Sequence, residues 1–144
     1  MRGPVVVTVE RVVAVPSPTL WARQAAVEQW TTWHPDVSWV APGAKVGPGC
    51  DFEWVWRGTR ARSEITAFRV GSQLAWSTDT ASGPSTMRWT FVADGDKTIV
   101  TVRCTLTAGH VLARRPAAAR AGLERALARW IDALAAVPRY AITA

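Results

Sequence analysis

A chain of 144 residues that is 49% hydrophobic and 19% charged has the size and composition of one folded domain over residues 1–144, not of a disordered polar segment. Its longest apolar runs, such as Val5-Val6-Val7 and Ala133-Leu134-Ala135-Ala136-Val137, fall far short of the roughly 20 residues that a helical membrane span needs. The net charge of +6 rests on 15 arginines and two lysines, but they are scattered and only Arg114-Arg115 are adjacent, so nucleic acid is a disfavoured partner even beside nine tryptophans.

Cys50 and Cys104 are too few for a disulfide framework and have no metal-ligand spacing, which predicts two reduced thiols, no metal and no cofactor. The stretch MRGPVVVTVERVV carries Glu10 and Arg11 where a signal peptide would hold its apolar region, so a cytoplasmic setting is expected.

Val5, Val7, Val9, Val13 and Val15 share one phase of a first strand, with Arg11 as its charged interruption. After Pro16-Ser17-Pro18 the alternation stops, and the helix formers between Thr19 and Trp33 suit two short helices, the second closed by Pro35. From Val37 to Leu106 glycine and proline separate short alternating runs, the pattern of antiparallel strands joined by hairpins.

One face of each run is apolar. Phe52, Trp54 and Trp56 share the first of these faces; then come Ala61, Ser63, Ile65 and Ala67, followed by Leu74, Trp76 and Thr78. Met87, Trp89 and Phe91 follow, and the last strand offers Val100, Val102, Cys104 and Leu106. The opposite phase, with Asp51, Glu53, Arg57, Arg60, Arg62, Glu64, Arg88 and Arg103, reads as a solvated outer face with cross-strand ion pairs. From about His110 to Val137, Leu123, Leu127, Trp130, Leu134 and Val137 repeat at helical spacing, with Pro116 suited to a first turn or a kink. The predicted architecture is α+β: a seven-stranded curved antiparallel sheet wrapped around a long C-terminal helix, with two short helices between strands 1 and 2.

Several local motifs carry a family resemblance. Val13-x-Val15-Pro16-Ser17-Pro18-x-Leu20-Trp21, Trp30-x-x-Trp33-x-Pro35-x-Val37, Gly49-x-x-Phe52-x-Trp54 and Leu127-x-x-Trp130-Ile131-x-x-Leu134 resemble, in order and separation, the helix-grip fold of the SRPBCC superfamily. That superfamily includes START lipid-transfer domains, birch-pollen-allergen-like proteins and polyketide cyclase/dehydrase-like proteins. Two features depart from relatives: the glycine-rich loop of the plant allergens is missing, and Tyr140 is the one tyrosine, which leaves tyrosine-dependent cyclase chemistry without an evident carrier.

The stretch Trp30-Thr31-Thr32-Trp33-His34-Pro35-Asp36-Val37-Ser38-Trp39 sets three indoles around a histidine and an aspartate. The resemblance makes Trp30 and Trp33 corner residues that close one end of the interior, and it implies a pocket for a hydrophobic small molecule, polyketide- or lipid-like, between sheet and C-terminal helix. The expected lining is Trp33, Trp39, Trp54, Trp56, Trp76 and Trp89 with Met87, Leu127, Trp130 and Ile131, and with Ser63 and Thr78 as polar members. For cyclase or dehydratase chemistry the candidates are His34 as acid or base, Asp36 as its partner and Arg11 as anchor for a carboxylate or enolate, the structural alternative for Arg11 being an acidic partner or escape to solvent at the strand end. A non-catalytic carrier with the same pocket, a solid core without ligand, and an RNA- or protein-binding module using the arginine-rich outer face are the alternatives. The oligomeric state is not encoded in any of these patterns.

Overall fold

The structure, a computed structural model, describes residues 3–137; Tyr140 lies outside them. Strand β1 (Val5–Val13) leads through Pro16 into helix α1 (Ser17–Ala25). A 3₁₀ turn (Val27–Gln29) and the one-turn helix α2 (Trp30–Trp33) follow. Helix α2 stops where His34, the residue before Pro35, turns extended at φ −82° and ψ 118°, the conformation a following proline imposes.

The chain then builds β2 (Val37–Val40), β3 (Asp51–Trp56), β4 (Thr59–Arg69), β5 (Gln73–Thr80), β6 (Gly83–Asp94) and β7 (Lys97–Leu106). A 3₁₀ turn (Val111–Arg114) precedes the long helix α3 (Pro116–Ala135). The single helical element expected from His110 onward is thus two: Pro116, which has no N–H to contribute, opens α3 in its first turn.

All pairings are antiparallel, and the sheet order is β1-β7-β6-β5-β4-β3-β2. Strands β2 to β7 form a meander, and β1 adds to its last strand, which makes β1 and β2 the edges. Inside the curve, α3 buries Ala119, Leu123, Ala126, Leu127, Trp130, Ile131 and Leu134. The outer face carries the ion pairs Arg60–Glu53 at 2.8 Å and Arg62–Asp51 at 2.7 Å; pairs this exposed are screened by water and add little to stability.

Two irregularities move side chains off the face that alternation alone assigns them. The β2–β3 register shifts between Val37 and Trp39, so Val37 is buried while Trp39 is 37% exposed and lies under the Arg60 guanidinium at 5.1 Å. Trp39 is therefore an outer-face residue and not part of an interior pocket. A second shift in β4 between Ile65 and Ala67 brings Phe68 against the core, edge-to-face with Trp21 at 5.3 Å.

Arg11 also leaves the interior. It has inward parity between Val9 and Val13, but it is exposed and donates to the Glu10 carbonyl at 2.8 Å. On an edge strand a long cationic side chain of inward phase can reach water past the margin of the sheet, which avoids the cost of burying its charge. It cannot anchor a ligand in the interior from there.

Candidate functional site

The interior has two different halves. In one, Trp30 from α2 is fully buried and meets Phe52, Trp54, Trp76 and Trp130 at ring-centroid distances of 5.7, 5.1, 5.6 and 5.3 Å. Most of these contacts are edge-to-face or tilted, the geometry that the ring quadrupoles favour. Indoles from a short helix, the sheet and α3 interlock in this half. Trp76, Trp89, Leu127, Trp130 and Ile131, expected as pocket lining, are core residues here, each at most 1% exposed.

His34 closes the same half. It is 4% exposed, its ring meets Trp130 edge-on at 4.3 Å, and Trp33 stacks on it at 5.6 Å. Its Nδ1 accepts the Asp36 backbone N–H at 3.1 Å, which places the proton of the neutral ring on Nε2, a buried atom without a hydrogen-bond partner among the described residues. Burial lowers its pKa to about 4; Asp36 opposes that and Arg129 reinforces it. The Asp36 carboxylate is held by Arg129, whose Nη2 and Nε reach it at 2.7 and 3.1 Å. His34 and Asp36 are linked through the backbone and form no acid–base dyad.

The other half holds a chamber of about 260 Å³ between β3–β7 and the first half of α3, just under the ~300–1,000 Å³ usual for small-molecule sites. Trp54, Trp56, Met87, Leu106 and Leu123 make its apolar wall. Thr78, Thr80, Ser82, Ser85 and Thr59 contribute hydroxyls. Of the residues read from the sequence as ligand-binding, Trp54, Trp56, Thr78 and Met87 line this space. Ser63, fully buried, stands behind the wall: Trp54 Nε1 donates to its Oγ at 2.9 Å, and that hydroxyl shares a hydrogen with Thr78 Oγ1 at 2.8 Å. Ser63 fixes one indole and one hydroxyl of the chamber without touching it.

Of the lining residues not read from the sequence as ligand-binding, three carry ionisable groups: Cys104, His110 and Arg57. Cys104 is buried, and desolvation pushes its pKa up to about 12 against the pull of the Arg57 charge, so the thiol stays neutral and unreactive. His110, 5% exposed, caps the 3₁₀ turn by accepting the Leu112 N–H on Nδ1 at 3.1 Å, which leaves Nε2–H as a donor; burial lowers its pKa. Arg57 had been placed on the outer face by alternation, which ends at Trp56. It occupies the two-residue turn between Trp56 and Thr59 and reaches across the mouth.

The available signal was topological. In an antiparallel meander the ends of β3, β5 and β7 lie at one end of the sheet, so Arg57, Ser82 and His110, each just beyond one of those ends, must gather there. The result is a largely apolar chamber with hydroxyls, an imidazole and a guanidinium at its rim, suited to seating and orienting an apolar molecule. Among the described residues no group of three or more His, Cys, Asp or Glu side chains is arranged to hold a metal ion, and no helix is long and apolar enough to cross a membrane.

No curated protein matches the sequence. Among solved structures, a hypothetical protein from Helicobacter pylori, jhp0584, superposes with a TM-score of 0.78 at 15% identity, over 91% of this chain and 86% of its own. The Zhui aromatase/cyclase from Streptomyces sp. R1128 superposes with a TM-score of 0.72 at 17% identity, over 92% of each chain. The di-domain aromatase/cyclase StfQ of the steffimycin biosynthetic pathway gives a TM-score of 0.78 at 14% identity, over 93% of this chain and 50% of its own. These likenesses establish a shared helix-grip fold. At the level of sequence, residues 4–138 match one family along nearly their whole length, and the chain belongs to it: polyketide cyclase / dehydrase and lipid transport, an SRPBCC-type family.

Proposed function

We propose that this protein binds a hydrophobic small molecule in the chamber between the sheet and the first half of α3. The observation that carries this reading is the division of the interior. One half is closed by interlocking indoles, while the other keeps about 260 Å³ open behind an apolar wall with a few hydroxyls. A fold that can pack one half solid and leaves the other open has room for a guest. The fold shared with aromatase/cyclases supports a polyketide-like guest, and a cyclase or dehydratase step would then rely on His110 and not on the ring-enclosed His34. The RNA-binding alternative has weaker support, because Arg60, Arg62 and Arg129 already pair with carboxylates.

The test uses an uncharged aromatic probe, 2-naphthalenemethanol, titrated against tryptophan fluorescence or by calorimetry. Saturable binding is expected from the native protein, and Leu123→Trp, which fills the chamber from α3, should abolish it. Absence of saturable binding, or full binding by a folded Leu123→Trp variant, would overturn the reading.

A further inference from the structure

We propose that the natural ligand is an amphipathic carboxylate, with its apolar body in the chamber and its carboxylate on the Arg57 guanidinium at the mouth. This rests on the chamber being the binding site and adds the chemical class of its occupant.

The backbone gives the first argument. Arg57 has φ 53° and Gly58 has φ 77°, the two positive values of a type I′ hairpin turn. Asparagine or glycine is favoured at the first of these positions, and Arg57 is the one non-glycine residue with positive φ among the described residues. A long cationic side chain held in a left-handed conformation is locally unfavourable, and such outliers concentrate at ligand-contacting sites.

Direction gives the second. The Arg57 Cζ sits 5.8 Å from the Trp56 ring centroid, and a methyl group placed on Gly122 of α3 would lie 3.6 Å from Arg57 Nη2. The guanidinium therefore bridges from the β3–β4 turn to α3. There it is a wall of the chamber and also of an outer groove of about 500 Å³ that continues past Leu112 to Arg114 and Arg115.

Charge gives the third. Among the described residues no carboxylate lines either space. Arg60, Arg62 and Arg129 have acidic partners, whereas Arg57 has none among the described residues. Helix α3 begins beside the groove with no acidic residue in its first turn, so its positive end adds to the same potential. The exposed guanidinium lies beside an indole and a helix and offers its planar fork to a carboxylate, a stronger interaction than with a neutral oxygen. An arginine that merely extends into solvent would be indifferent to the charge of the guest.

The experiment compares 2-naphthoic acid with 2-naphthalenemethanol by calorimetry at pH 7 and low salt. The native protein should prefer the acid by about tenfold, the scale of one added charge-assisted hydrogen bond. Arg57→Asn installs the Asn-Gly pair that a type I′ turn favours, so the fold should be kept or stabilised; it should remove that preference by weakening the acid far more than the alcohol. Arg57→Lys should retain part of it, and Arg114→Gln with Arg115→Gln should leave most of it. Equal affinities in the native protein, parallel weakening of both probes by Arg57→Asn, or loss of the preference only in the Arg114/Arg115 double variant would overturn the proposal while the chamber reading stands. Failure of both probes to bind the native protein would overturn both.

Discussion

Trp130 of α3 donates its indole N–H to the side-chain oxygen of Gln24 on α1 at 3.0 Å. The backbone carbonyl of Gln24 accepts the indole N–H of Trp30, also at 3.0 Å, so one fully buried residue orients two central rings. Gln24→Leu should leave the Trp130 donor buried and unpaired, at a cost of about 1–3 kcal/mol. The buried Gln24 Nε2 has no partner among the described residues, and its removal offsets part of that, so a net loss near the lower figure is expected in urea unfolding. An unchanged midpoint would mean that packing alone positions Trp130.

Burial of His34 predicts an acid-side loss of stability. The folded chain protonates His34 only near pH 4, against 6.5 for the free side chain. Above pH 6.5 the ring is neutral in both states and its contribution is fully present. Between 6.5 and 4 the unfolded chain binds the proton first, so stability falls with falling pH, by up to about 3 kcal/mol once both values are passed. His34→Asn can still accept the Asp36 N–H in an Asx-type turn but cannot titrate, so its unfolding free energy should depend less on pH in this window. Parallel profiles for the two proteins would show that His34 is not held neutral.

Along α3 the packed and open halves predict unequal costs. Leu127 is fully buried in the packed half, and Leu127→Ala should cost about 2–5 kcal/mol. Leu123 is 2% exposed but faces the chamber, so its truncation enlarges an existing space and loses fewer contacts. Leu123→Ala should cost about 2 kcal/mol or less. Equal losses in chemical denaturation would mean that the chamber wall is as tightly packed as the core.

The fold was legible because its signals are periodic. Runs such as Phe52, Trp54, Trp56 and Met87, Trp89, Phe91 fix which face of each strand is buried, and the α3 stripe needs a concave sheet to cover it. The site was less legible because the same rings that suggest a pocket also fill one. Nothing in the spacing of Trp76, Trp89 and Trp130 distinguishes wall from filling, and that depends on which rings interlock across elements. Trp39 was misplaced because a bulge changes phase without a glycine or proline to mark it. For Arg11 parity left two readings, a ligand anchor or a side chain that escapes past the strand, and its exposure on an edge strand selects the second. His110 and Arg57 sit beyond strand ends, where alternation carries no information.

The rim of the chamber depends on one glycine. Gly83 opens β6 at φ +126°, and a Cβ there would lie 2.9 Å from the His110 Cα, a backbone atom that cannot rotate away. The segments are also joined by hydrogen bonds: Val111 N–H donates to the Ser82 carbonyl at 2.8 Å and Thr107 N–H to the Pro84 carbonyl at 3.3 Å. Gly83→Ala should therefore separate the β5–β6 hairpin from the His110 loop and cost about 1–3 kcal/mol. It should also weaken binding of 2-naphthalenemethanol, because His110, Ser82 and Ser85 all belong to the chamber wall. Gly95, at φ +63° in the β6–β7 turn at the opposite end of the sheet, has nothing within 4 Å of such a Cβ, so Gly95→Ala tests backbone strain alone. It should lose stability and keep the probe's affinity. If Gly83→Ala, still folded, binds the probe as tightly as the native protein, the contact between Gly83 and His110 does not shape the chamber.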